Sequence, residues 1–294
     1  YNTSRQYAEW VSSLFERLYK AFTAYWQRQG FELREPEFPL VVIAFADRAA
    51  YEAASRDELG NAAPNIVGYY SLRSNRVNMY DLTGAEALRA AQNTAPSTAR
   101  PSTSRKGGTS VAPPPRRGSA REINEMLSQR AAVPLVATIV HEATHQIAFN
   151  SGLQTRLADI PLWQCEGMAM FFEAPDLASS RGWRGIGRVN YPRLETFRRN
   201  VSSWQPGRLE SLLADNRHFR DPRTAGAAYA DAWALTYYLM KYRPTDYAAY
   251  LKTLAAKDPL VEDTPQTRLT NFRTHFGNID EVESAFLKQM SRVE

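Results

Sequence analysis

Thr138-Ile-Val-His-Glu-Ala-Thr-His-Gln-Ile-Ala148 decides how the rest of the chain is read. His141 and His145 are four positions apart. On a helix they stand on one face, one turn from each other. Two imidazoles at that spacing can grip one tetrahedral ion from the same side. Glu142 sits beside them and is not needed as a ligand, so it is placed to take a proton from water bound to such an ion. The flanking Ile139, Val140, Ile147 and Phe149 are apolar, which predicts a buried, well-fixed helix from Pro134 to Asn150. Pro in the first turn and Gly152 just past the end mark its limits. The alternative is a pair of core histidines that hydrogen-bond internally.

A catalytic zinc needs a third protein ligand. The position six residues after His145 is Ser151, which excludes a third histidine there. His218 and His275 lie in polar surroundings far along the chain. Glu166 is the stronger candidate. It falls in Pro161-Leu-Trp-Gln-Cys-Glu-Gly-Met-Ala-Met-Phe-Phe-Glu173, where a second helix is predicted over about Leu162 to Glu173, after a loop from Gly152 to Pro161. A helix–loop–helix can bring Glu166 opposite the two histidines, and the small Gly167 and Ala169 let those helices approach. The alternative is an exposed carboxylate favoured by the helix dipole. The apolar flanks Trp163, Met168, Met170, Phe171 and Phe172 argue against exposure, and a buried carboxylate needs a partner. Cys165 points away if Glu166 faces the metal, and reads as a packed thiol. Glu173 shares the face of Glu166 and either orients a histidine ligand or is a surface glutamate at a helix end. Asn150 and Asp159 are further candidates for holding a ligand.

Residues 4 to 29 read as a long amphipathic helix, with Ser4 as N-cap and Gly30 as stop. Leu40 to Phe45 reads as a strand. Val67 to Leu72 and Arg76 to Leu82 flank Arg73-Ser74-Asn75, a hairpin turn. A small antiparallel or mixed sheet follows. After about Glu122 the chain reads as helical. The predicted segments are Tyr191 to Asn200, Leu209 to Asp215, Thr224 to Lys241, Thr245 to Lys257 and Glu281 to Val293. The fold class is α+β, in one catalytic domain over residues 1 to 294.

Residues 91 to 121 are rich in Pro, Ser, Thr, Ala, Gly and Arg, and read as a disordered basic insertion. They hold Arg100, Arg105, Lys106, Arg116, Arg117 and Arg121 and no acid. Without these six the net charge of +5 becomes −1. The basic character therefore belongs to one segment. No aromatic residue interleaves its arginines as a stacking platform, so no nucleic acid is expected as a partner. No apolar run is long enough for a membrane span. With Cys165 as the single cysteine, no intramolecular disulfide can form and the compartment stays unmarked. A chain starting at Tyr1 is expected to be a trimmed or processed product.

His141-Glu-x-x-His145, followed by Glu166 in a W-x-x-E-G-x-A setting, resembles the gluzincin metallopeptidases, which include thermolysin-like and aminopeptidase-type enzymes. More closely, the chain resembles an uncharacterised bacterial family of metallopeptidases in the peptidase-MA-like superfamily. The matching pieces are Thr138–Ala148 with Asn150, Pro161–Glu173, Asn190-Tyr-Pro-Arg-Leu194, Tyr229-Ala-Asp-Ala-Trp-Ala-Leu235, and Gly68-Tyr-Tyr with Val77-Asn-Met-Tyr80. The resemblance implies a zincin-like fold, with a small sheet beside the HExxH helix and a mostly helical C-terminal half. It implies one zinc ion held by His141, His145 and Glu166, Glu142 as general base, and a peptide or protein substrate. It also implies a tyrosine that hydrogen-bonds the developing oxyanion. Tyr229 is the matching candidate, with a core tyrosine as the alternative reading, and His218 competes for the role. Thermolysin-like enzymes carry an Asp four residues after the glutamate ligand, where this chain has Met170. Whatever orients the first histidine comes from elsewhere, Asn150 or Glu173. The habits of such families imply an extracytoplasmic bacterial setting. The function expected is a zinc-dependent hydrolase, a peptidase. The alternative is a catalytically silent metal-binding protein that keeps the fold.

Overall fold

The computed structural model describes residues 2–83, 120–129, 132–178 and 183–294. Helix α1 (Arg5–Arg28) begins where Ser4 Oγ accepts the Tyr7 N–H at 3.1 Å. It buries Tyr7, Trp10, Val11, Leu14, Leu18, Phe22 and Trp26, the three- and four-residue repeat of one helix face. It ends at Gly30, whose φ of +79° suits a residue without a Cβ.

Strand β1 (Val41–Phe45), strand β2 (Gly68–Ser71) and strand β3 (Arg76–Tyr80) form one sheet in the order β1-β3-β2. β2 and β3 are the expected hairpin, with Asn75 at φ +58° in its turn. β1 pairs with β3 in parallel, Val41 opposite Arg76, so the sheet is mixed. The parallel pairing follows from helix α2 (Arg48–Leu59), which carries the chain from β1 towards β2. The hairpin then returns β3 into the slot beside β1. α2 lies outside the sequence expectation because it buries only Tyr51 and Ser55 and shows no apolar period. Its signals are the Asp47 cap, which accepts from Ala50 at 2.8 Å, and an alanine-rich body.

The second half is helical: α3 (Ala120–Leu127), α4 (Val133–Asn150), α5 (Leu162–Phe172), α6 (Tyr191–Val201), α7 (Arg208–Ala214), α8 (Arg217–Arg220), α9 (Ala225–Tyr242), α10 (Pro244–Ala255), α11 (Pro265–Phe276) and α12 (Ile279–Met290). Residues 91 to 119 of the basic segment lie outside the described residues, and Arg121 belongs to α3. α11 is absent from the sequence expectation, although Thr264 caps its start and Gly277, at φ +85°, stops it. Among the described residues no helix is long and apolar enough to cross a membrane.

α9 is the centre of this half. Gly167 on α5 packs against it so closely that an added Cβ would lie 2.1 Å from Thr236 Oγ1 and 2.5 Å from the Ala232 carbonyl oxygen. The small residue therefore serves the α5–α9 contact rather than the α4–α5 approach expected from sequence. Glu166 faces α4, and its neighbour, about 100° further round the helix, faces another side.

The loop from α4 to α5 is pinned from the C-terminal helices. Arg268 on α11 donates to both carboxylate oxygens of Asp159, at 2.6 and 2.8 Å. Asn216 Oδ1 accepts the Leu162 N–H at 3.2 Å and so caps α5, which has no local side-chain cap.

Candidate metal centre

His141 and His145 project from α4 and Glu166 from α5. One ligand atom from each lies within 4.8 Å of the others. The edges are 3.1 Å from His141 Nε2 to Glu166, 3.1 Å between the two Nε2 atoms, and 3.6 Å from His145 Nε2 to Glu166. Tetrahedral ligands roughly 2.05 Å from one zinc ion are spaced about 3.3 Å apart. The donor set and its spacing thus fit one small, borderline-soft cation such as zinc. All three side chains are mostly buried, with 8 to 15% of each exposed.

The outer nitrogens of the imidazoles are both engaged. Glu173 Oε2 lies 2.9 Å from His141 Nδ1. A carboxylate there keeps the proton on Nδ1 and leaves Nε2 as a lone-pair donor. Glu173 is itself held by the Asn190 side-chain amide, whose oxygen caps α6 by accepting from Arg193 N–H. Cys165 Sγ lies 3.4 Å from His145 Nδ1. It is buried, as read from sequence, but it turns towards His145 instead of away from the site.

Burial works against a charged imidazole, yet hydrogen bonds with Glu166 and Glu173 outweigh it and raise His141 to about 9. His145 is raised as well, because the Cys165 sulfur and Glu166 overcome its burial. Burial would raise Glu166, but the imidazoles beside it hold it well below the usual carboxylate range. The cluster attracts positive charge, which either a proton or a metal cation satisfies.

Glu142 takes no part in the triad. Its Oε2 accepts the Tyr70 N–H at 2.8 Å. β2 is a sheet edge, so its outward N–H groups have no strand partner and Tyr70 turns one onto the carboxylate. Burial pushes the Glu142 carboxyl upward.

Tyr229, in the second turn of α9, comes to the same place. The charge of Glu166 raises its phenol first, then burial, then the charge of Glu142. Its hydroxyl therefore stays protonated and able to donate.

The remaining candidates are placed elsewhere. His218 Nε2 meets Ser211 Oγ at 2.8 Å, and its ring makes no contact with the triad. Asn150 does not orient a histidine: it exchanges side-chain amide bonds with Asn75, both at 2.8 Å, and so clips the β-hairpin to α4. Asp159 is occupied by Arg268. Of the two sources considered for orienting His141, Glu173 alone reaches it.

A cleft of about 860 Å³ lies between α1, residues 35–44 and Ala143, Gln146 and Ile147 of α4. Those positions are on the back of the helix relative to His141 and His145, so this cleft does not contain the triad.

Tyr70, Asn190 and the Cys165 contact were not foreseen. Asn190 before Tyr191-Pro192 is a legible helix-start signal, but nothing local points from it to Glu173.

A family model described as "Protein of unknown function (DUF1570)" matches residues 135–261. The chain is similar to that family over a stretch containing His141, Glu142, His145, Glu166, Glu173, Asn190 and Tyr229. No curated protein and no solved structure matches the chain.

Proposed function

We propose that this chain is a zinc-dependent metallohydrolase that cleaves peptide bonds. The observation that carries the reading is the convergence of His141, His145 and Glu166 within 4.8 Å, beside a carboxylate, Glu142, that is free of ligand duty. Bound by these three side chains, zinc would supply Lewis acidity, lowering the pKa of water and polarising a carbonyl oxygen.

The other steps belong to the chain's own groups. Glu142 accepts the proton of the attacking water and returns it to the leaving nitrogen. Its upward-shifted carboxyl suits a group that must both take and give a proton. The Tyr70 N–H fixes one carboxylate oxygen and leaves the other for the proton. The Tyr229 hydroxyl donates to the oxyanion as the carbonyl becomes tetrahedral. An extended substrate can pair with the outward backbone groups of edge strand β2, next to Tyr70.

The test is to measure the zinc content of the purified protein and to compare wild type with Glu142→Gln on a mixed peptide library. We expect stoichiometric zinc in both, and cleavage that falls on the order of a hundredfold or more in Glu142→Gln. A wild type that binds no zinc overturns the metal reading. A zinc-replete wild type with no turnover identifies a silent metal-binding protein that keeps this fold.

A further inference from the structure

Arg193 stands in the first turn of α6, three residues after the Asn190 that bonds Glu173. That turn is thereby docked against the metal centre. The Arg193 guanidinium carbon lies 5.6 Å from the centre of the Tyr229 ring. The Tyr229 hydroxyl in turn feels the charges of Glu166, Glu142 and Arg193 together.

Other arginines of the helical half that sit deep in the fold have acids: Arg208 pairs with Asp231 and Arg268 with Asp159. Among the described residues no carboxylate lies within ion-pair distance of Arg193, and its guanidinium makes no hydrogen bond. Stacking on an aromatic ring fixes the plane of a guanidinium but leaves its N–H donors at the rim. Those donors match a carboxylate in a two-pronged geometry. Glu142, Glu166 and Glu173 are all given over to the histidines, the Tyr70 N–H or Asn190, so they do not supply one.

From this guanidinium, unpaired among the described residues and stacked on Tyr229 beside the triad, we infer that the site takes substrates bearing a carboxylate close to the scissile bond, with Arg193 as the residue that selects for it. The inference rests on the hydrolase reading above. The carboxylate is supplied by a free C-terminus or by an Asp or Glu side chain.

The test separates the inference from that reading by measuring binding as well as cleavage. Labelled peptides are prepared in matched forms, with Glu or Gln at the positions flanking the intended bond and with a free or amidated C-terminus. Binding is measured by fluorescence anisotropy on zinc-loaded Glu142→Gln protein, with and without Arg193→Gln or Arg193→Lys. Cleavage is measured on wild type and on the Arg193 variants alone.

A carboxylate-bearing peptide is expected to bind roughly tenfold or more tighter than its neutral twin, the scale of a charge-assisted hydrogen bond. Arg193→Gln abolishes the difference and Arg193→Lys keeps part of it. The Glu/Gln pair and the acid/amide pair show which carboxylate is read. In cleavage the effect falls on KM. Equal binding of charged and neutral peptides, or a preference that survives Arg193→Gln, overturns the inference. Selective binding without turnover by wild type supports the inference and refutes the hydrolase reading alone.

Discussion

Glu173 Oε2 lies 2.9 Å from Nδ1 of His141, so one carboxylate at the end of α5 decides which nitrogen of that imidazole carries the proton. The helix that Glu173 caps carries the proposed ligand Glu166 two turns earlier, so α5 and its cap provide one candidate ligand and the group that orients another. Glu173→Gln removes the charge and Glu173→Ala removes the contact. Zinc affinity, measured by chelator competition, is expected to weaken by about 10- to 100-fold, more for Ala than for Gln. Asn190→Ala acts in the same direction and less strongly, because it only frees Glu173. An unchanged zinc Kd in Glu173→Ala would show that Glu173 does not orient the ligand.

Tyr229→Phe removes the donor next to Glu166 and keeps the ring that packs on Phe219 at 5.3 Å. If the hydroxyl stabilises the oxyanion, kcat falls on the order of 10²- to 10³-fold while KM and zinc content hold. His218→Ala is the control. Its ring bonds Ser211, so peptide cleavage should persist at the wild-type level. The reverse pattern would return the oxyanion role to His218.

The pH dependence has a definite sign. In the metal-free protein His141 is raised to about 9, by Glu166 and Glu173 acting against burial. Its unfolded value is about 6.5. A raised imidazole stabilises the fold fully below the unfolded value, and that stability is lost as pH rises through the folded one. The melting temperature of the metal-free protein should therefore drop between about pH 6.5 and pH 9. Zinc must displace the same proton, so zinc affinity should fall as pH decreases below 9, by roughly tenfold per pH unit for each proton released. His145, raised by Cys165 and Glu166, adds to the slope. A zinc affinity that is flat from pH 9 to pH 7 would contradict this linkage.

Gly167→Ala tests the α5–α9 contact. The new Cβ would meet Thr236 Oγ1 at 2.1 Å and the Ala232 carbonyl oxygen at 2.5 Å. Overpacking of this kind costs about 1–3 kcal/mol, readable as a lowered melting temperature. Adding Thr236→Ala should restore only part of the loss, since the Ala232 contact is backbone. Full stability in Gly167→Ala would mean that the helices separate at little cost.

Much of this fold is written in local signals. α1 follows from an apolar repeat between Ser4 and Gly30, and α4 from its proline start and Gly152 stop. The hairpin follows from its turn at Asn75. His141 and His145 share a face by helix geometry alone, and the apolar flanks of Glu166 mark it as a buried acid in need of a partner. Each of these depends on residues a few positions apart, where backbone geometry limits the choices.

Other contacts join residues far apart in the chain. The β1–β3 pairing depends on where α2 delivers the chain. The partner of Gly167 depends on which helix covers the face next to Glu166. The Tyr70 N–H reaches Glu142 across 72 positions, and Asn190 reaches Glu173 across 17. The sequence alone assigned His141 and His145 to one face and chose Glu166 as their partner. Packing of α5, α6 and α9 chose Glu173 over Asn150, turned Cys165 towards His145, and brought Tyr229 rather than His218 to the His141–His145–Glu166 triad. Side-chain spacing along one helix is set by its pitch, whereas contacts between helices are set by how the whole core closes around them.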